Sequence, residues 1–208
     1  MASFFQWLFQ GLFPPQCIIS GEPGSFLAKK HRKFPKPPLN KAKFKHVDKI
    51  IAVTAYDDPV IKKIIHDFKF QGLKDLAPIM AQAMIKKLAT SNQQLVTIPL
   101  HWTRKIWRGF NQAEILAQEM QKINKNLVID TGLKRIKKTS QQARLDKNAR
   151  EKNLKNAFVW RGKKEIPEKI ILIDDVVATG STLDEAAGVL KKAGCKEIWA
   201  LVFARGGK

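Results

Sequence analysis

The chain has only two cysteines, Cys17 and Cys195, in 208 residues, so it has no disulfide framework and suits a reducing cytosol. No stretch reaches the roughly 20 apolar residues that a transmembrane helix needs. The Gly-x-x-x-x-Gly-Lys pattern of nucleoside-triphosphate P-loops is missing, and so is the Gly-x-Gly-x-x-Gly pattern of dinucleotide sites. These absences exclude disulfide-stapled, membrane-spanning, P-loop and Rossmann-type proteins.

Acidic residues are also scarce, because 18 Asp and Glu stand against 38 Lys and Arg, a net charge of +20 with a pI near 10.1. Such an excess predicts a polyanionic neighbour, either nucleic acid or an anionic membrane surface, although a Lys-rich proteome would contribute to it. The 44% hydrophobic content supports a proper core. The length favours one α/β domain with a small appendage.

Residues 169–182 are the most informative stretch. Residues 170–173 form an unbroken apolar run, typical of a central parallel strand that is covered on both faces. Asp174 and Asp175 follow at the predicted carboxyl end of that strand, where open α/β sheets bind ligands. Residues 178–182 are small and hydroxyl-rich, and a helical pattern follows that ends near Gly194.

This order of residues suits a sugar that carries a 5′-phosphate. The loop N–H groups and the hydroxyls of Thr179, Ser181 and Thr182 would hold the phosphate at the start of the helix. The two carboxylates would accept hydrogen bonds from vicinal ribose hydroxyls. An ordinary strand-turn-helix is the alternative, but it does not require two adjacent acids after a buried strand.

A second motif follows the predicted strand 94–100 and reads Pro-Leu-His-Trp-Thr-Arg-Lys-Ile-Trp-Arg-Gly-Phe-Asn-Gln over residues 99–112. Arg104, Lys105 and Arg108 offer charge-assisted hydrogen bonds to phosphate oxygens. Gly109 permits close backbone approach, and the helix predicted after Asn111 presents its N-terminus to an anion. His101 is either a general base or a hydrogen-bonded loop histidine.

Residues 174–182 resemble the signature of type I phosphoribosyltransferases, and residues 99–112 resemble the ComF-type proteins within that group. The resemblance implies an α/β type I phosphoribosyltransferase fold, an open and mostly parallel sheet flanked by helices. It also implies binding of phosphoribosyl pyrophosphate (PRPP) with Mg²⁺. The implied PRPP-binding residues are Asp174, Asp175, Val176, Ala178, Thr179, Gly180, Ser181 and Thr182, with Ala178 standing where the family usually has Thr. The implied pyrophosphate loop contains His101, Arg104, Lys105, Arg108 and Gly109.

The polar segment 134–155 resembles the mobile flap of that family through Arg135, Gln142, Arg150 and Asn153. The implied catalytic residues are Asp174, Asp175, Arg104 and Arg108, with Arg150 completing the site from the flap. Long polar loops inside compact domains are usually functional. A surface helix with a charged face is the alternative interpretation of this segment.

The first 48 residues are expected to form an appendage, and residues 49–208 the phosphoribosyltransferase-like domain. ComF-type proteins carry a small zinc module starting Cys-x-x-Cys here, but Ser20 stands where the second Cys would be, so a degenerate module without zinc is expected. The apolar residues 1–13 would dock on the domain or lie at a membrane interface. The basic residues 29–49 are either a solvated linker or a phosphate-binding arm.

The resemblance further implies a cytoplasmic protein of DNA uptake in natural transformation, which meets single-stranded DNA as it enters the cell. Peripheral contact with the inner face of the membrane, a DNA-uptake helicase and recombination proteins are the further partners considered. Two alternatives stay open. One is a metabolic phosphoribosyltransferase that acts on a free base, and the other is a catalytically silent scaffold. The acceptor of the phosphoribosyl group cannot be named from the sequence.

Overall fold

The structure is a computed structural model that describes residues 14–38, 44–88, 93–137, 154–162 and 165–207. Its strands are β1 Lys49–Ala55, β2 Gln94–Thr97, β3 Val128–Asp130, β4 Leu133–Arg135, β5 Phe158–Trp160, β6 Lys169–Val177 and β7 Glu197–Arg205. Its α-helices are α1 Pro59–Phe70, α2 Ala77–Ile85, α3 Trp102–Arg108, α4 Gln112–Ile123 and α5 Ser181–Lys192. Short 3₁₀ turns cover Lys29–Arg32 and Lys74–Leu76.

Five strands form one parallel sheet in the order β1-β7-β6-β2-β3, which confirms the predicted open α/β architecture. Strand β7 lies inside the sheet, between β1 and β6. Strand β5 is not part of this sheet, because it pairs antiparallel with β4 in a separate two-stranded ribbon. The carboxyl ends of the parallel strands therefore meet at one edge, with β6 at the centre.

Strand β6 is buried on both faces, as its apolar run predicts. Ile171 and Ile173 pack into a core with helices α1, α2 and α4. Ile170 and Leu172 pack into a second core with helix α5 and the β4–β5 ribbon. Because successive side chains of a strand point to opposite faces, the two acids that follow are directed into different environments.

Helix α1 begins at Pro59, directly after an acidic capping residue. Asp58 caps its N-terminus by accepting hydrogen bonds from the N–H groups of Val60 and Ile61, and Pro59 occupies the first turn. Helix α2 is preceded by a 3₁₀ turn that ends at Leu76, and the α-helix itself ends at Ile85. Between these two helices, Gly72 adopts a positive φ of 67°.

Residues 14–38 form a knuckle around buried Cys17. Gln16 and Pro23 make an antiparallel bridge, and the Arg32 guanidinium donates to the Leu27 carbonyl at 2.9 Å. Within the described ranges, no cluster of three or more His, Cys, Asp or Glu could hold a metal ion. The expectation that the zinc module is degenerate remains a prediction. Residues 1–13 lie outside the described ranges.

The end of the basic connector is attached to helix α5. The Asp184 carboxylate accepts hydrogen bonds from the backbone N–H groups of His46, at 2.8 Å, and of Val47, at 3.3 Å. Residues 44–47 therefore run along the helix that begins at the candidate phosphate loop. In the described part of the chain, no helix has the length and apolar character needed to cross a membrane.

Candidate functional site

The site is built where strand β6 passes into helix α5. Strand β6 extends to Val177, so the two acids lie inside its last part, four residues further than the predicted strand end. Gly180 adopts φ 83° and caps α5 without a side chain. A Cβ atom there would also lie 2.0 Å from the Phe44 ring. Only glycine fits this turn, which leaves the first N–H groups of α5 without the usual capping side chain.

A cavity of about 230 Å³ opens at this turn. It is lined by Lys69, Asp174, Val176, Val177, Ala178, Thr179, Gly180, Ser181, Thr182 and Leu183. The hydroxyls of Thr179 and Ser181 lie 3.1 Å apart at its mouth. Drug-sized ligands occupy pockets of roughly 300–1,000 Å³, so this volume suits a fragment such as a sugar phosphate. Every predicted PRPP-binding residue except Asp175 lines it.

The two acids occupy different environments. Asp174 lines the cavity, and its carboxylate accepts a hydrogen bond of 2.8 Å from the Asp175 backbone N–H. Asp175 is buried on the α1 side of the sheet, where its Oδ2 atom lies 2.9 Å from Lys69 Nζ. Desolvation by burial, and next the Asp175 carboxylate, raise the pKa of Asp174 to about 7. Asp175 is not among the residues that line the cavity.

The motif at 99–112 reaches the same edge of the sheet. Ile98 donates its N–H to the carbonyl of Ile173, at 3.0 Å, which fixes the end of β2 beside the acids. The sequence predicts a loop at 102–108, but the structure has helix α3 there. Buried His101 caps this helix, with Nδ1 2.9 Å from Thr103 Oγ1, and Gly109 ends it at φ 79°. This geometry favours the hydrogen-bonded histidine over the general base.

The predicted cations divide into two groups. Burial lowers the pKa of Arg104 and of Arg108, and Arg108 also feels the charges of Asp175 and Asp174. Arg108 lies over the Phe70 ring at 5.0 Å, and its buried Nε atom has no hydrogen-bond partner within the described residues. Lys105 instead pairs with Glu114, at 3.1 Å, and lines a different cavity. The guanidinium of Arg108 is therefore better placed than Lys105 to hold an anion.

Asn111 has a structural role. Its side chain accepts the N–H of Ala113 to cap helix α4, and it donates to the carbonyl of Ile98 at 3.0 Å. The sequence suggests that the N-terminus of α4 is open to an anion, but in the structure the Asn111 side chain caps it. Asn111 ties the arginine-bearing helix back to strand β2 at the base of the site.

One predicted flap residue, Arg135, lies near enough to Asp174 for their charges to interact. Arg135 ends strand β4 and lies 5.4 Å from the Phe158 ring. Burial, and next the charge of Arg104, lower the pKa of Arg135 to about 10, and Asp174 opposes that effect. Gln142, Arg150 and Asn153 lie outside the described residues, so the flap and surface-helix interpretations both stay open.

Sequence reasoning missed the contribution of Lys69 and Phe70. These neighbours end helix α1 and contact both the acids and the arginine-bearing helix. Lys69 pairs with Asp175, and the Phe70 ring packs under the Arg108 guanidinium. The available signal was a cation and an aromatic residue just before Gly72, at the end of a helix that follows strand β1. Helical periodicity alone does not show that this end lies over β6.

Comparison with known proteins agrees with this geometry. Residues 72–208 match the family described as phosphoribosyl transferase domain. The chain is 34% identical to Competence protein F of Haemophilus influenzae over 76% of its own length and 73% of that protein. It is 30% identical to Competence protein ComFC of Streptococcus pneumoniae over 74% of its length and 67% of the relative. DNA utilization protein YhgH of Salmonella typhi is 29% identical, over 74% of this chain and 71% of that protein. The chain therefore belongs to the phosphoribosyl transferase domain family, as a ComF-type member of it.

Proposed function

We propose that the protein binds PRPP, with Mg²⁺, in the cavity between β6 and α5. One observation carries the proposal: the Gly180 turn presents an uncapped helix N-terminus and two hydroxyls beside the Asp174 carboxylate. The backbone N–H groups and helix dipole favour a phosphate. The carboxylate favours the ribose hydroxyls. A 5′-phosphorylated pentose contains both groups in one small molecule.

The surrounding cations suit the pyrophosphate part of the same ligand. Arg104, Arg108 and Arg135 all lie within electrostatic range of the acids or of each other. Guanidinium groups bind phosphate oxygens through paired N–H donors, and a phosphate oxygen would satisfy the buried Nε atom of Arg108. Mg²⁺ prefers substrate phosphates and carboxylates, and when bound it would neutralise charge between pyrophosphate and ribose.

These residues have defined roles if the phosphoribosyl group is transferred. Positive charge develops at ribose C1 as pyrophosphate leaves, and the ionised Asp174 stabilises it. The arginines offset the negative charge that gathers on the leaving group. Asp175 and Lys69 have a supporting role, because their ion pair sets the local charge beside Asp174 and holds the end of helix α1 against β6. The acceptor nucleophile stays unassigned.

We further propose a role with single-stranded DNA during natural transformation, on the cytoplasmic side of the membrane. Two relatives are named competence proteins, and another is named a DNA utilization protein. A net charge of +20 supports binding to a polyanion. A DNA-uptake helicase or recombination proteins are the protein partners that such a role would require.

Calorimetry tests the ligand directly. PRPP with Mg²⁺ is titrated into the protein, and ribose 5-phosphate and pyrophosphate are titrated separately. We expect PRPP to bind more tightly than either fragment, since it engages both the loop and the arginines. Equal affinity for pyrophosphate alone would contradict a specific sugar-phosphate site. Pyrophosphate release on adding free bases would identify a metabolic transferase, and PRPP binding without any release would favour the silent scaffold.

A further inference from the structure

Helix α3 carries an exposed aromatic surface beside the phosphate-binding residues. None of its seven residues, all within the described part of the chain, is buried. The exposed fractions are 64% for Trp102, 73% for Ile106 and 75% for Trp107. Phe70 is 50% exposed, and its ring centroid lies 6.2 Å from that of Trp107. Large exposed apolar groups gathered in this way usually mark a binding surface.

The same short helix is strongly basic. Arg104, Lys105 and Arg108 alternate with the aromatic residues, and Arg108 lies over Phe70. Cationic and aromatic side chains mixed on one short helix match a ligand with both phosphates and flat rings. Single-stranded nucleic acid is such a ligand, because its phosphates meet the cations while its bases stack on the aromatic rings.

The placement of the two tryptophans distinguishes between partners. They lie five residues apart, about 7.5 Å along the helix axis and roughly 140° around it. A lipid surface requires one continuous apolar face, usually on a longer helix. Two separated aromatic groups instead suit a flexible strand that bends around the helix. The net charge of +20 also favours a polyanion over an apolar protein partner.

We propose that Trp102, Trp107 and Phe70 form a base-stacking surface for single-stranded DNA, with Lys105, the exposed cation of α3 that is not assigned to pyrophosphate, holding a phosphate. This proposal rests on the DNA-binding part of the proposed function and adds where the strand lies. It places the strand next to the PRPP cavity, because Phe70 supports Arg108 at one border and adjoins Lys69 of the cavity wall.

The test compares Trp102→Ala, Trp107→Ala and the double variant with wild-type protein, by fluorescence anisotropy of a labelled oligothymidylate. Stacking of one base contributes roughly 1–3 kcal/mol, so each single variant is expected to bind about 5- to 150-fold more weakly. The slope of log affinity against log salt should stay unchanged, because the phosphate contacts remain. Ile123→Ala and Val128→Ala, at exposed apolar residues elsewhere, serve as controls and should bind like wild type.

An abasic strand of the same length separates stacking from charge. Wild-type protein should lose affinity for it, while the double variant should bind both strands equally. Wild-type-like DNA binding by the double variant would overturn the proposal that DNA stacks on this surface. The proposed function, binding of single-stranded DNA by the protein, would still stand. Absence of DNA binding by the wild type would overturn both the stacking surface and the proposed role with single-stranded DNA. The proposed binding of PRPP is tested separately by its own titration. If the double variant lost binding to anionic vesicles but kept wild-type affinity for DNA, the surface would be assigned to a membrane instead.

Discussion

Lys69 Nζ lies 2.9 Å from Asp175 Oδ2, across the interface between the end of helix α1 and strand β6. The Asp175 side chain is only 6% exposed and that of Lys69 is 22% exposed. A buried carboxylate that loses its partner retains its desolvation cost without the compensating attraction. The ion pair therefore couples the stability of the fold to the charge state of the site.

Lys69→Met should reduce the free energy of unfolding markedly, near the low end of the ~3–5 kcal/mol that follows when one partner of a buried pair is removed. Urea denaturation at neutral pH measures the loss. Lys63→Met, in the same helix, is the matched control. Lys63 pairs with Asp67 at 3.0 Å but is half exposed, and Asp67 keeps its contact with His66 Nδ1 at 3.1 Å, so the loss should be roughly 0.5 kcal/mol or less. Equal losses in the two variants would show that the Lys69 pair is not special.

Stability should depend on the ionisation of Asp174. Because the folded-state pKa is raised to about 7, the folded protein binds this proton more tightly than the unfolded chain does. The resulting cost is absent at very low pH, grows as pH rises above about 4 and is complete above about 7. Asp174→Asn removes it, so the variant should be more stable than wild type by roughly 1–4 kcal/mol at pH 8. The gain should be smaller at pH 5, and a gain independent of pH would contradict the raised pKa.

Ligand affinity should follow the same ionisation in the opposite sense. Ribose hydroxyls donate hydrogen bonds to the ionised carboxylate, so PRPP affinity of the wild type should rise between pH 6 and pH 8. Asp174→Asn should bind more weakly than wild type at pH 8, and the difference should shrink toward pH 6, where the wild-type carboxyl is mostly protonated. The phosphate groups of PRPP also titrate in this pH range. Because Asp174→Asn has no carboxyl at this position, the pH dependence of its affinity measures the contribution of PRPP without that of Asp174. Identical pH profiles for wild type and Asp174→Asn would remove Asp174 from the site.

Gly180→Ala should damage the loop for two separable reasons. The backbone conformation at φ 83° costs a non-glycine residue roughly 1–2 kcal/mol, and the new methyl group collides with Phe44. Gly72→Ala, at φ 67° with no atom near the added Cβ, reports the backbone cost alone. Thermal unfolding should show a larger loss for Gly180→Ala. In a Phe44→Ala background, the Gly180→Ala substitution should cost less stability, because the added methyl group no longer meets the ring. An unchanged cost would contradict the collision with Phe44.

Arg108→Ala should weaken binding of pyrophosphate and PRPP by about 10- to 150-fold, since a hydrogen bond to a charged group contributes roughly 1.5–3 kcal/mol. Lys105→Ala should change the affinity little, because Lys105 pairs with Glu114 at a different cavity. Calorimetry on both variants measures the contrast. A greater loss in Lys105→Ala would reverse the assignment of the pyrophosphate-binding cations.

The sequence was informative where a local pattern determines the structure. The β6 apolar run, the small-residue turn and the end of α5 near Gly194 were all predicted, because strand burial, glycine geometry and helix periodicity are local properties. Helix α3 was missed. None of its seven residues is fully buried, so they show no apolar periodicity, and the helix is instead delimited by His101 and Gly109.

The unequal environments of Asp174 and Asp175 were beyond sequence reasoning for a different reason. Adjacent carboxylates look equivalent in a motif, but strand alternation directs one toward the cavity and the other toward helix α1. Which side holds a cation depends on Lys69, which is more than 100 positions away in the sequence. The packing of α1 on the sheet determines that contact.

A crystal structure with PRPP and Mg²⁺ tests the central claim most directly. We expect the 5′-phosphate within hydrogen-bonding distance of the N–H groups at residues 180–182, with a ribose hydroxyl on Asp174 and the pyrophosphate near Arg108. PRPP located elsewhere, or a vacant β6–α5 cavity at a concentration that saturates the protein in solution, would contradict it.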